Sequence, residues 1–300
     1  MRYYMNKRYT LAAIYFLLLC SCSFSLKAQF ISDSLLIDKN YRTFHFNQPL
    51  SLRSGASLIF ILHGSGGDGI KMMSQTTKLQ QEIKDENVVL VYPDGYKNFW
   101  NECRKAAPSP ANIENIDENT FFNSMIEYFI RNYRIDKHRV FAIGTSGGGH
   151  MAYKLALTEP EKFRAVTAVV ANLPDTDNID CAGTNRPISI MIINGTKDEI
   201  NPYKGGPVIL GKNFNMGNVR STDRTFRYWA SLAGYKGEPV KETLPDTDPS
   251  DGKTIERYTY SKKNKPEVIL LKVIGGTHGY PNDIDVHVEA WKFFKRQFER

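Results

Sequence analysis

Apolar residues in this chain gather into short runs bounded by glycine, proline or polar turns, and between those runs they fall at helical spacing. Leu58–Leu62, Val88–Tyr92, Val140–Ile143, Ile188–Ile193 and Val268–Val273 are near-continuous runs of β-branched and aliphatic side chains. Such runs suit strands of a parallel sheet covered on both faces, where neither face needs polar residues. Phe122, Met125, Ile126, Phe129, Ile130 and Tyr133 share one helical face, and so do Ile284, Val288, Trp291, Phe294 and Phe298. The alternation predicts an α/β fold, a mostly parallel central sheet with helices on both faces. Residues 30–46 read instead as antiparallel edge strands at the N-terminus. No internal repeat, linker or composition break divides the rest, so residues 29–300 read as one domain.

Residues 1–28 stand apart. A basic start, Met1 to Arg8, precedes the uncharged apolar run Leu11 to Cys20, and small residues follow to Lys27-Ala28-Gln29. This is the three-part pattern of a secretory signal peptide, and the run is short for a membrane span. The expectation is a secreted or periplasmic protein with no membrane span in the mature chain. The alternative is a lipoprotein attached at Cys22, since Leu19-Cys20-Ser21-Cys22 loosely resembles a lipid-attachment box.

The leader also changes how the charge is read. The formal net charge is +7, from 39 basic and 32 acidic residues. Arg2, Lys7, Arg8 and Lys27 all lie in the leader, which has no acid, so the remainder carries 39 − 4 = 35 basic against 32 acidic groups, or +3. No dense basic stripe is present, and nucleic-acid binding loses its electrostatic argument. Charged residues at 24% and hydrophobic ones at 41% exclude disorder, collagen and coiled coil as the main architecture. Of the 4 cysteines, Cys103 and Cys181 lie beyond the leader; export permits a bridge between them. None of the cysteine spacings makes a paired zinc-ligand motif.

The candidate chemistry lies in Gly144-Thr145-Ser146-Gly147-Gly148, directly after the run ending at Ile143 and directly before a helical pattern, Met151, Ala152, Leu155, Ala156. A serine between glycines on a strand-to-helix turn is the nucleophile elbow. The flanking residues must lack bulk for the turn to be this tight, and the helix N-terminus favours developing negative charge. A serine nucleophile needs a base, and the base an orienting carboxylate. In folds that carry this elbow the chain order is Ser, Asp or Glu, His. The run Ile188–Ile193 leads into Asn194-Gly-Thr-Lys-Asp198, and Val268–Val273 leads into Ile274-Gly-Gly-Thr-His278. Ser146, Asp198 and His278 therefore form the expected catalytic set, with Asp175, Asp177 and Asp180 as fallback carboxylates. Of the other histidines, His287 is expected on a helix surface, His150 behind the elbow, and His45 and His138 lack a loop context. The oxyanion hole is expected from the backbone N–H of Gly147 and an N–H of the loop His63-Gly64-Ser65-Gly66-Gly67, best Ser65. His63 is expected to shape that loop rather than act as base.

The same loop offers a competing motif. Gly64-x-Gly66-x-x-Gly69 matches the dinucleotide fingerprint, and Asp94 could serve as the ribose-binding acid. That reading leaves Ser146, Asp198 and His278 without a role, and an exported protein meets little NAD.

Taken together the blocks resemble a known family. Leu62-His63-Gly64-Ser65-Gly66-Gly67, Tyr92-Pro93-Asp94-Gly95 with Trp100-Asn101, and Gly144-Thr-Ser-Gly-Gly148 are three of them. Asn194-Gly-Thr-Lys-Asp198 with Pro202-Tyr203, and Gly275-Gly-Thr-His278 with Tyr280-Pro281, complete the set. The chain resembles the polyhydroxybutyrate depolymerase-like esterases, a group that includes secreted feruloyl and acetyl xylan esterases. The resemblance implies an α/β-hydrolase fold, a serine esterase needing neither metal nor other cofactor, and Ser146, Asp198 and His278 as nucleophile, orienter and base. Ser65 stands where many relatives carry cysteine, and Tyr280 replaces a common tryptophan. Trp100, Tyr203 and Tyr280 are the candidate substrate-binding aromatics, with Phe99 and Phe214 in nearby loops; packing is the competing reading of each. The expected partner is an ester substrate, carbohydrate-linked, feruloyl or acetyl. The alternatives are a polyhydroxyalkanoate or small-ester depolymerase, a peptidase or acyltransferase with the same residues, and a catalytically idle polysaccharide-binding protein.

Overall fold

A computed structural model describes residues 29–48, 52–211 and 214–298. The leader and Cys22 lie outside the described residues. The strands in chain order are β1 Gln29–Ile37, β2 Asn40–Gln48, β3 Ala56–Leu62, β4 Val88–Pro93, β5 Ile135–Thr145, β6 Ala165–Val169, β7 Ser189–Gly195, β8 Gly206–Leu210, β9 Phe214–Val219, β10 Val240–Thr243, β11 Thr254–Tyr260 and β12 Val268–Ile274. The helices are α1 Gly69–Gln75, α2 Thr77–Glu82, α3 Pro110–Ile113, α4 Glu118–Tyr133, α5 Gly147–Thr158, α6 Thr222–Leu232 and α7 Val286–Arg296.

Ten of these strands form one sheet in the order β1-β2-β4-β3-β5-β6-β7-β12-β11-β10. The central strands β4, β3, β5, β6, β7 and β12 run parallel. The β1–β2 hairpin adds antiparallel to β4, as expected for residues 30–46. A second antiparallel pair, β11 and β10, closes the other edge and was not legible as strands, because β10 is exposed throughout and β11 mostly half-buried and polar.

The apolar runs are buried on both faces for the reason their composition indicated. Leu58, Phe60 and Leu62 of β3 point into one core with Phe122, Met125 and Phe129 of α4, Met151 and Leu155 of α5, and Trp229 of α6. Ile59 and Ile61 point into the other core, with Met72 of α1, Leu79 of α2, and Trp291 and Phe294 of α7. Helix α4 starts where Asp117 accepts the Thr120 N–H, and it stops at Arg134, whose φ of 52° is left-handed. Asp285 caps α7 by accepting the N–H groups of His287 and Val288, both at 3.0 Å.

That cap corrects one expectation. His287 lies in the first turn of α7 and is 2% exposed, not on the helix surface. The buried face of α7 is Val286, His287, Ala290, Trp291, Phe293 and Phe294, while Ile284 precedes the helix and Val288 is half-buried. The ring of Tyr280, in the loop between β12 and α7, covers His287 edge to face, centroids 5.4 Å apart.

Candidate active site

The elbow forms as its glycines require. Ser146 has φ 54° and ψ −116°, a strained backbone for a residue with a side chain. A Cβ on Gly144 would lie 1.9 Å from the Gly148 carbonyl oxygen, and one on Gly148 would lie 2.4 Å from that of Leu62. Helix α5 is thus packed backbone to backbone against the ends of β3 and β5. The Ser146 N–H donates to Val169 O at 2.9 Å. The next residue, Val170, is also left-handed, φ 45°, although β-branched residues strongly resist that region. Its N–H donates to Ile193 O at 2.8 Å. The strain is held by a buried neighbourhood, since Val170 is 2% exposed.

The three predicted side chains meet. His278 Nε2 lies 3.0 Å from Ser146 Oγ, and His278 Nδ1 lies 2.8 Å from Asp198 Oδ2. The other carboxylate oxygen of Asp198 accepts the N–H groups of Ile200 at 2.9 Å and Asn201 at 2.8 Å. A carboxylate that can only accept therefore holds the imidazole with Nδ1–H toward it and Nε2 placed to accept from the serine. The Asp198 side chain is buried and that of His278 partly open. The fallback carboxylates are elsewhere engaged or placed: Asp175 pairs with Arg224, and Asp180 lies beside Cys181.

The loop after β3 lies against the elbow. A Cβ on Gly147 would come within 3.0 Å of Ser65 N and 2.5 Å of Ser65 Oγ, so the two expected oxyanion donors are neighbours. His63 uses both ring nitrogens: Nδ1 bonds Gly64 O at 2.7 Å and Nε2 accepts the Gly95 N–H at 2.9 Å. Burial pushes its pKa down, which keeps it neutral and fixes the tautomer that this pair of bonds needs. It shapes the loop, as expected. Asn98 adds what the motif did not show: its carbonyl accepts the Gly66 N–H and its side-chain amide donates to Gly67 O, both at 2.8 Å. Asp94, the acid of the competing dinucleotide reading, instead accepts the Gly69 N–H at 2.7 Å and bonds His45 Nε2 at 3.1 Å. A Cβ on Gly69 would lie 2.3 Å from Tyr92 O, so this glycine serves packing against β4.

The acid loop has its own support. Asn194 Nδ2 donates to Ala171 O, Asn172 Oδ1 and Thr222 Oγ1 at 2.9–3.0 Å, and its Oδ1 accepts the Ala171 N–H. This buried amide ties the turn after β6 to the base of the Asp198 loop. Its only sequence signal was its place at the head of Asn194–Asp198. His150 sits one turn behind Ser146, 3% exposed; burial first, then the charges of Arg104 and His278, hold it well below the ordinary histidine range.

The three expected substrate-binding aromatics separate. Trp100 is 2% exposed, with its indole N–H on His63 O at 2.9 Å and His63 and Phe122 against its ring. Tyr203 is 8% exposed, its hydroxyl donating to Asp223 at 2.9 Å. Both are packed within the protein, which favours the competing reading of each. Tyr280 keeps an open face, at 38%, and its hydroxyl meets Thr145 Oγ1 at 2.7 Å, next in the chain to Ser146. Cys103 and Cys181 form a disulfide, tying the segment after β4 to the segment after β6.

A parallel sheet with a strained serine at the end of its middle strand and an aspartate–histidine pair on later strand ends is the architecture of an α/β hydrolase. The chain belongs to the phospholipase/carboxylesterase family, whose model matches residues 51–226, and it is a carboxylic ester hydrolase. An Aspergillus niger protein named "Probable feruloyl esterase C" is 29% identical over 244 residues, spanning 79% of this chain and 77% of that one. Feruloyl esterase C of Emericella nidulans is 29% identical over 170 residues, 55% of this chain and 57% of that one. The solved structure of an acetyl xylan esterase from Aspergillus awamori matches with a TM-score of 0.61 at 15% identity, covering 88% of this chain and 99% of that chain; it speaks for the fold. The expected likeness to feruloyl and acetyl xylan esterases is borne out by these relatives.

Proposed function

We propose that this protein is an exported serine esterase that removes feruloyl or acetyl groups from polysaccharide through a Ser146–His278–Asp198 triad. The observation that carries the mechanism is the relay of 3.0 and 2.8 Å from Ser146 Oγ through His278 to Asp198. His278 Nε2 takes the serine proton as Oγ attacks the ester carbonyl. The oxyanion accepts the N–H groups of Gly147 and Ser65. His278 then returns the proton to the leaving alcohol, and water repeats the sequence on the acyl-serine to free the acid. Asp198 holds the imidazole tautomer and balances its positive charge. The substrate class is supported by the names of the relatives, and export by the leader pattern of residues 1–28.

The test is a panel of acetyl, butyryl, feruloyl and hydroxybutyrate esters with purified protein and its Ser146→Ala variant. The variant should lose roughly 10³-fold or more in kcat with unchanged far-UV circular dichroism, since the covalent route disappears. Activity retained in Ser146→Ala refutes the triad. A hydroxybutyrate oligomer cleaved at least about tenfold better than every sugar ester, about 1.4 kcal/mol of transition-state preference, overturns the substrate class. N-terminal sequencing that finds Met1 on the exported protein, or lipid on Cys22, overturns cleaved secretion.

A further inference from the structure

Two aromatic side chains meet outside the hydrophobic core clusters. Phe214, first residue of β9, is 40% exposed, and Phe99 is half-buried. Their rings lie parallel, 7° between planes and 6.5 Å between centroids. They come from segments far apart in the sheet. Phe99 follows β4, whereas the β8–β9 hairpin follows β7, and β3, β5 and β6 lie between them. At about 4.8 Å per strand that separation is about 19 Å. The hairpin crosses it along the carboxyl edge of the sheet. Its Asn218 O accepts the Asp175 N–H, Asn178 Nδ2 donates to Met216 O and Asn218 O, and Val208 and Met216 pack with Ala107 beyond β4. Fixed at these points, the hairpin brings Phe214 to Phe99 on the β4 side of the strand that carries Ser146.

The chemistry says which part of an ester faces that side. His278 must protonate the leaving oxygen, so the alcohol lies toward His278. His278 follows β12, on the opposite side of β5 from β4. The carbonyl oxygen lies at the N–H groups of Ser65 and Gly147. The acyl substituent therefore projects away from His278, past the Ser65–Gly66 loop. That loop is bonded directly to Asn98, the residue before Phe99. Parallel aromatic faces at this place, Phe214 exposed and Phe99 half-buried, suit a flat ring, which stacks on them with little loss of freedom.

Building on the proposed esterase function, we infer that Phe99 and Phe214 form the acyl subsite and select planar aromatic acyl groups of the hydroxycinnamoyl class over acetyl. The pair acts on recognition and leaves proton transfer to the triad. The test compares kcat/KM for methyl ferulate and for ethyl acetate in the wild type, Phe214→Ala, Phe214→Tyr and Phe99→Leu. The feruloyl-to-acetyl ratio should fall about tenfold or more in Phe214→Ala and in Phe99→Leu, mostly through KM, and stay within about twofold of wild type in Phe214→Tyr, which keeps a flat face. Unfolding temperatures identify any variant that has lost the fold, and the tyrosine variant keeps the test open if the alanine one has. A ratio that is unchanged in Phe214→Ala, or a wild type that cleaves acetyl but not feruloyl esters, overturns the subsite and leaves the esterase reading standing. A wild type that cleaves neither overturns both.

Discussion

The elbow at Ser146 and the β8–β9 hairpin are packed in different ways. Around the elbow there is no spare room. Cβ atoms on Gly144, Gly147, Gly148 and Gly149 would each meet another atom at 2.7 Å or less. Two residues hold left-handed backbone there against their own preference, Ser146 and Val170. In the hairpin, Gly206 and Gly211 also have positive φ, 117° and 59°, but a Cβ on either would touch nothing within 4 Å; the tight glycine there, Gly217, faces the side chain of Asn178 at 2.4 Å and no backbone. Its core is a small satellite of Ala107, Val208, Met216 and Val219, apart from the two main ones. Rigid packing is concentrated around Ser146, where the proposed chemistry would need atoms placed to a fraction of an ångström. The rim, which need only present a surface, rests on a few hydrogen bonds and a disulfide-tied base.

Substitutions at glycine break this contrast most directly. Gly144→Ala should cost about 3 kcal/mol or more, because the clash is backbone on backbone and no side chain can swing away. Chemical denaturation should show it, with activity lost alongside. If Gly144→Ala unfolds at the wild-type midpoint, the tight packing of the elbow is wrong.

The disulfide comes next. It closes a span of 78 residues and anchors the segments on which the hairpin rests. Replacing both Cys103 and Cys181 by alanine should remove up to about 4 kcal/mol by the chain-entropy argument. The loss should appear in urea unfolding, and an undiminished stability would show that the base of the rim holds without the link.

The pH dependence of stability sharpens the comparison on the elbow side. Burial holds His287 neutral and lowers its pKa to about 4, against 6.5 ordinarily, and burial pushes His63 and His150 down as well. Below pH 6.5 the unfolded chain takes up protons that the folded one refuses, so stability is full above that pH and is lost as pH falls toward the folded values. For His287 the window is about 6.5 to 4 and the effect about 3 kcal/mol. Thermal unfolding between pH 7 and 4 should flatten in His287→Phe; an equal slope in the variant would deny the histidine this role.

The smallest effect belongs to the hairpin. Gly211→Ala has open space around its new methyl and only the positive φ to oppose it, so it should cost about 1 kcal/mol, with the hydrolysis of acetyl esters little changed. A loss as large as that of Gly144→Ala would erase the distinction between the two regions.

What the sequence determined by itself was whatever is encoded locally. Continuous apolar runs marked five of the six parallel strands, because burial on both faces leaves no other pattern. The sixth, β6, is a short Ala/Val stretch, Ala165–Val169, with too little of that signal. The glycines around Ser146 marked the elbow, because no other residue fits against backbone at that distance. The order of Ser146, Asp198 and His278 followed from strand ends, and these three do meet. The tertiary structure alone decided which side chains are covered from elsewhere. Trp100 and Tyr203 sit in loops and looked available, but His63, Phe122 and Asp223 occupy them. His287 looked like a surface residue, but the packing of α7 and the ring of Tyr280 from the preceding loop leave it 2% exposed. Val170, Asn98 and Asn194 carry no motif that announces strain or cross-linking, since their partners lie in other strands and loops. The pairing of Phe99 with Phe214 has the same cause. A residue's own neighbours in the chain set its backbone, but its exposure is set by whatever the fold lays against it.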